Sequence, residues 1–275
     1  MTPQKLIKKE ALGRLRGHWP SALGVLCLPA AVWVLTAFAA EYICYCGGLF
    51  AAADAAALLA APFTLLALFG AVLLQFCVLF FVVRPMMLGV TRWWCALAHG
   101  KNIGVGACLY YFAPAEYGRC MAYSFRLLGR IALRAAPILL GILLISGISG
   151  ICARPALLQE LPVHGAGALQ QTELTAMGTA FTVTAVSGVI LLIVLCIRFL
   201  LSDYLYITER ELNCINRSAQ LMRGYNRAAL RVLCAFLWWA LLSLFVIPLL
   251  FTLPYFGTAI AVLSKWIVYN QKQKN

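Results

Sequence analysis

Charge is what this sequence has least of. Only 11% of its 275 residues are charged, while 63% are hydrophobic; a soluble domain carries about 25% charged residues. Too few polar side chains remain to coat a water-facing surface. That excludes an ordinary soluble globule and leaves the bilayer as solvent. Histidine is scarce as well. His18, His99 and His164 are the three present, and the topology argued below puts His164 opposite the other two, so they cannot meet at one metal. No Gly-rich phosphate loop, nucleophile elbow or HExxH helix occurs. No catalytic set, cofactor site or metal site is therefore expected, and the chain reads as a non-enzyme.

Acidic residues number nine against 22 basic ones, giving a formal charge of +13. The basic residues are spread over juxtamembrane segments rather than gathered in one soluble domain, which argues against nucleic acid and for an anionic membrane surface. Cysteine, by contrast, is plentiful. The eleven cysteines are odd in number and lie mostly in or beside apolar runs. They read as small packing residues rather than a disulfide framework. Cys44 and Cys46, expected near the outer face, are the candidate external thiols, for a redox pair or a soft-metal site; lipid-facing filler is the plainer reading.

What the chain does have is long apolar runs. A crossing helix needs roughly 20 such residues. The runs predict an all-α, polytopic transmembrane bundle of about six spans in one integral membrane domain, residues 1–275. The expected spans are about 21–40, 62–83, 135–152, 177–196, 232–253 and 256–269. Pro137 is placed at the start of the third, and Pro248 and Pro254 kink or end the fifth. The sixth is short and interrupted by Lys265, expected to snorkel to the interface with Trp266 and Tyr269 as anchors. The basic start, the first apolar run and Ala37-Phe38-Ala39 also resemble a cleavable signal, but the run is longer than a usual signal core.

With the N-terminus inside and six crossings, 21 of the 22 basic residues fall on the cytoplasmic side and only Arg154 falls outside. This positive-inside bias predicts a multi-pass plasma-membrane protein with both termini cytoplasmic. Cytoplasmic loops are then about 84–134 and 198–231. The acids Asp203, Glu209 and Glu211 are expected to pair locally, near Arg198 and Arg210.

Two segments are alike. "RGHWPSALGVLC" (Arg16–Cys27) and "RGYNRAALRVLC" (Arg223–Cys234) share seven of twelve residues. Internal duplication and shared membrane composition both account for this. A looser third copy is "YSFRLLGRIALRAAPILLG", Tyr123–Gly141. Wound as one helix, Glu209–Arg231 puts Leu212, Ile215, Ala219, Met222, Tyr225 and Ala229 on one face. Arg217, Arg223, Arg227 and Arg231 fall on the other. The expectation is an amphipathic cytoplasmic helix with its apolar face in the acyl boundary and its arginines among anionic headgroups. The alternative is that the apolar face packs on the protein's own loops.

The stretch "RPMMLGVTRWWCALAHGKNIGVGACLYYF" (Arg84–Phe112) resembles a segment of an uncharacterised bacterial integral-membrane family, domain-of-unknown-function family nine-seventy-five. Pro85, Gly89, Trp93, Trp94, Gly100, Lys101, Leu109 and Phe112 occupy its motif places. "YLYITERELNCINRSAQLMRGYNRAALRVLCAFLWW" (Tyr204–Trp239) is similar to its second half, with Ser218, Met222 and Gly224 matching a Ser-x-x-x-Met-x-Gly core, and "PYFGTAIAVLSKW" resembles its ending. The resemblance implies about six helices and a bacterial plasma membrane, and it carries over no catalytic residues. The leading functional expectation is a non-enzymatic scaffold or accessory protein at the cytoplasmic leaflet, with anionic lipids and a membrane protein as partners. The rival is a permease or exporter subunit for an apolar or lipid-like molecule, with a cavity near Pro29 and the fourth span.

Overall fold

The computed structural model describes residues 3–49, 62–158, 188, 191, 197–242 and 246–273. Among the described residues every regular element is helical. In order these are α1 (Pro3–Leu15), α2 (Trp19–Cys46) and α3 (Pro62–Val78), which runs through a π-helical turn (Leu79–Val83) into α4 (Arg84–Ala98). A 3-10 segment (Val105–Phe112) precedes α5 (Pro114–Leu158). A 3-10 turn (Ile197–Phe199), α6 (Ser202–Glu209), α7 (Cys214–Met222), α8 (Asn226–Leu242) and α9 (Val246–Lys272) follow. The chain divides into two compact units, one of Met1–Ser124 with Leu201–Asn275 and one of Phe125–Leu200.

Three helices of the described residues are long and apolar enough to cross a membrane: Trp19–Cys46, Pro62–Ala98 and Leu250–Gln271. The chain is thus an all-helical membrane protein by length and composition of its helices. The first two expose nearly all of their apolar windows, of which only 17% and 11% are buried. Trp33, Leu35, Phe38, Phe63, Leu66 and Phe69 are all exposed, an apolar surface suited to lipid or to a partner helix. These two helices pair where the Thr64 hydroxyl donates to the carbonyl of Gly47 at 2.7 Å.

Pro62–Ala98 has 37 residues. At 1.5 Å per residue it is about 55 Å long, while the hydrocarbon layer is about 30 Å thick. It is therefore longer than one perpendicular crossing needs, and its burial changes along its length. Thr64, Ala71 and Phe80 are the buried positions before Arg84; from Pro85 to Ala98 ten residues are buried, Trp93 and Leu88 among them. The change falls beside the end of the expected second span, residues 62–83. The expected cytoplasmic segments, about 84–134 and 198–231, are largely helical, and residues 84–124 and 201–231 of them belong to the first unit.

α4 is the centre of that packing. A Cβ on Gly89 would come within 2.5 Å of the Ala107 carbonyl oxygen and the Cys108 backbone, so only glycine lets the 3-10 segment lie so close. The Trp93 indole donates to the carbonyl of Ile103 at 2.9 Å. At the C-terminus Gly100 has φ +76°. Its N–H reaches Leu97 O and that of Lys101 reaches Ala96 O, both at 2.9 Å. This is a Schellman cap, and it explains the Gly-Lys pair seen in the sequence. Lys265 completes the cap by donating to Ala98 O at 3.2 Å. Lys265 therefore points at the end of α4, with Glu10 at 3.6 Å. Trp266 packs edge-on against Tyr225; Tyr269 is exposed.

The expected helix boundaries near two prolines also move. Pro137 lies inside the continuous 45-residue α5, not at a helix start. Pro254 lies inside α9, which joins the end of the expected fifth span to the whole of the sixth. The expected fourth span, 177–196, lies outside the described residues apart from Gly188 and Leu191. Within the second unit, the Arg134 guanidinium sits 4.3 Å over the ring of Phe199.

The two similar segments share their local structure. Each is a helix, a three-residue turn and a longer apolar helix: α1, 16–18, α2, and α7, 223–225, α8. His18 N–H bonds Leu15 O and Ala22 N–H bonds His18 O; 207 positions later Tyr225 bonds Met222 and Ala229 bonds Tyr225. Burial matches as well, Ile7, Ala11, Leu15, Ala22, Val25 and Pro29 answering to Cys214, Ser218, Met222, Ala229, Val232 and Phe236. The turns differ in one respect: Gly17 has φ +86° and Gly224 is not in that region. The looser third copy does not share the pattern, since Tyr123–Gly141 is the unbroken middle of α5.

Candidate functional site

The most polar interior feature of the first unit joins α4, α5 and α6. Arg84 begins α4, directly after the charge-free run of α3 and the π turn. Asp203 lies in the first turn of α6, where the helix dipole favours a carboxylate. Arg84 Nη1 donates to Oδ2 at 3.1 Å and Nη2 to Oδ1 at 2.6 Å. The Tyr123 hydroxyl donates to Oδ1 at 2.7 Å. A forked guanidinium pair of this kind is stronger than a point-charge contact. Both side chains are still about a quarter exposed, 26% and 25%, so solvent screens part of the attraction.

Aromatic rings wall this node. Tyr123 stacks on Tyr206 with centroids 4.2 Å apart, and the buried Tyr204 hydroxyl donates to Gly257 O at 3.3 Å. Burial, reinforced by the Asp203 carboxylate, pushes the Tyr123 phenol far above its ordinary range. Burial raises Tyr206 to about 12. It raises the Cys120 thiol to about 11 and Cys214 to about 12. These groups stay protonated at neutral pH and supply neither a thiolate nor a phenolate nucleophile there. Asp203 has three donors on its oxygens. The arrangement clamps three helices together.

Sequence reasoning missed this node. It expected the inside acids to pair locally, near Arg198 and Arg210; Glu209 does pair locally, with Arg217, whereas Asp203 and Arg210 find partners far along the chain. Asp203 pairs with Arg84, Glu209 with Arg217 at 2.7 Å, and Arg210 with Glu116 at 3.2 Å. The reason is local. Arg210 caps α6 in the left-handed region, φ 55°, which turns its side chain away from α6 and toward Tyr110, whose hydroxyl it meets at 2.7 Å. The one available signal was position: an arginine at the end of an uncharged span and an aspartate just beyond another.

The expected basic face is present but not on one helix. The left-handed turn at Arg210 and the turn at 223–225 break Glu209–Arg231 into α6, α7 and α8. Ile215, Met222 and Ala229 of the expected apolar face are buried in the protein's own packing, and Leu212, Ala219 and Tyr225 are half-buried. The four arginines, Arg217, Arg223, Arg227 and Arg231, are all exposed. Arg217 is held by Glu209; Arg223, Arg227 and Arg231 form no ion pair with a described residue.

Cys44 and Cys46 stand two residues apart in the last turn of α2, about 200° apart around the axis. Cys44 is buried and Cys46 exposed, and both are free thiols. They cannot bridge to one another from these directions. No group of three His, Cys, Asp or Glu side chains suited to a metal occurs among the described residues. Pro29, expected beside a cavity, is buried in α2. A groove of about 470 Å³ does open between α1 and α9, lined by Leu6, Ile7, Lys9, Glu10, Val262 and Trp266. No protein-family model, no curated protein and no solved structure matches the chain.

Proposed function

We propose that this chain is a non-enzymatic integral membrane protein, a scaffold or accessory subunit that presents a basic rim to anionic headgroups at the cytoplasmic leaflet. One observation carries the reading. The apolar side of the Arg217–Arg231 segment is consumed by internal packing, while the arginines stay outward and three of them lack an acidic partner among the described residues. A membrane protein partner with an acidic surface suits the same rim.

The finer topology belongs to this proposal. Six crossings in a bacterial plasma membrane, with both termini cytoplasmic, keep 21 of 22 basic residues on one side. The fifth and sixth crossings are those of about 232–253 and 256–269, the sixth lying within α9. Kinship with domain-of-unknown-function family nine-seventy-five rests on the residues quoted above. Gly89 and Gly100 have packing and capping roles here, which fits a motif conserving shape.

The test is to purify the chain in lipid nanoparticles and weigh the lipids that accompany it. Replacing Arg217, Arg223, Arg227 and Arg231 together by Gln should deplete anionic lipid relative to zwitterionic lipid, with the helical content unchanged. An unchanged lipid ratio and unchanged partner recovery would count against the proposal.

A further inference from the structure

The groove between α1 and α9 is built like a binding site for an amphiphile. Its floor is apolar and buried, with Ile7 and Val262 only 4% and 2% exposed. Trp266 and the exposed Leu6 form its apolar walls. Its volume lies in the range of small-ligand sites.

The charges around it are sorted. Lys8 turns inward, donating to Ala235 O at 3.1 Å and lying 5.0 Å over the ring of Phe236. Glu10 is flanked by Lys265 at 3.6 Å and Arg14 at 3.9 Å, so its negative charge is offset twice. Lys9 lines the groove, is exposed and pairs with no described acid. The result is an apolar slot with one uncommitted cation on its rim, in a chain with three helices long and apolar enough to cross a bilayer.

We infer that this groove holds a single anionic phospholipid, one acyl chain between Leu6, Val262 and Trp266 and the phosphate on Lys9. The inference rests on the reading that the basic side of the chain meets anionic headgroups, and it assigns a lodged lipid to α1 where that reading assigns exchangeable lipid to the arginine rim.

Native mass spectrometry of the full chain in neutral detergent, titrated with phosphatidylglycerol, tests it. Phosphatidylcholine and inorganic phosphate serve as comparison probes. One phosphatidylglycerol per chain should be retained in preference to phosphatidylcholine, and inorganic phosphate should not displace it. Lys9→Gln should weaken retention about fivefold, the worth of one basic residue at an anionic surface. Leu6→Trp, which crowds the slot from an exposed position, should weaken it as well. The quadruple arginine variant should retain the lipid as the parent does, which separates failure of the groove from failure of the rim. Thermal unfolding of each variant checks the fold. Equal retention in the parent, Lys9→Gln and Leu6→Trp, equal binding of phosphatidylcholine, or displacement by free phosphate would each overturn the inference.

Discussion

At the scale of single residues, Arg84 and Asp203 set the tightest constraint. Asp203→Asn keeps the shape but leaves the guanidinium without its counter-charge. The expected loss is about 1–3 kcal/mol, below the figure for a fully buried pair because both groups are partly solvated. Tyr123→Phe removes one hydrogen bond to the same oxygen and should cost about 1 kcal/mol. Denaturant or thermal unfolding in nanodiscs checks both, and equal stability of all three proteins would remove the node from the account. Alkaline pH acts on the same region. Cys120 and Cys214 have folded pKa values raised to about 11 and 12, so the folded state holds protons that the unfolded chain releases first. Their contribution is complete below the ordinary thiol range and is lost as pH rises through those values. The melting temperature should fall above about pH 9, less steeply in a Cys120→Ala, Cys214→Ala double variant. Little of this was legible in the sequence. Arg84 and Asp203 are separated by 119 positions, and pattern reasoning pairs charges only with near neighbours.

At the scale of elements, glycines fix how closely helices meet. Gly257 faces the Trp94 ring so closely that a Cβ would collide with it. Gly257→Ala should cost about 1–3 kcal/mol as overpacking. Gly100→Ala strains the positive-φ cap and meets the flexible end of Arg14, which can shift aside, and should cost about 1 kcal/mol. A larger loss at Gly100 than at Gly257 would contradict the packing described for α4 and α9. The apolar runs made α2 and the 62–83 part of the second long helix legible, because hydrocarbon thickness and helix rise leave little freedom there. The start of α5 and the join of α9 were not legible. Pro137 was read as a helix start and Pro254 as a kink or an end, yet proline is tolerated within membrane-protein helices when neighbouring groups take up the freed carbonyl. The carbonyl that Pro254 leaves free is that of Leu250; the Thr258 hydroxyl donates to the carbonyl of Pro254 itself, at 2.8 Å. The paired helix–turn–helix segments were legible as sequence identity. Their shared burial pattern, extending from Ile7 to Pro29 and from Cys214 to Phe236, was not, because packing positions tolerate Ala for Ser or Leu for Met.

At the scale of the molecule, two long helices whose most apolar stretches are almost unburied stand beside a packed set of shorter helices in the same unit. The membrane class was legible from composition alone. Which side of each amphipathic segment meets lipid was not, since a hydrophobic face reads the same whether a bilayer or another helix covers it. For Ile215, Met222 and Ala229 the cover is the protein. That leaves the arginines as the outward chemistry, and their attraction to headgroups should weaken with salt. The most direct measurement is the lipid composition retained by the parent and by the Arg217, Arg223, Arg227 and Arg231→Gln variant, each extracted in native nanoparticles at low and high salt. A basic rim predicts anionic enrichment around the parent that falls with salt and is absent from the variant. The same enrichment in both proteins at both salt concentrations would contradict it.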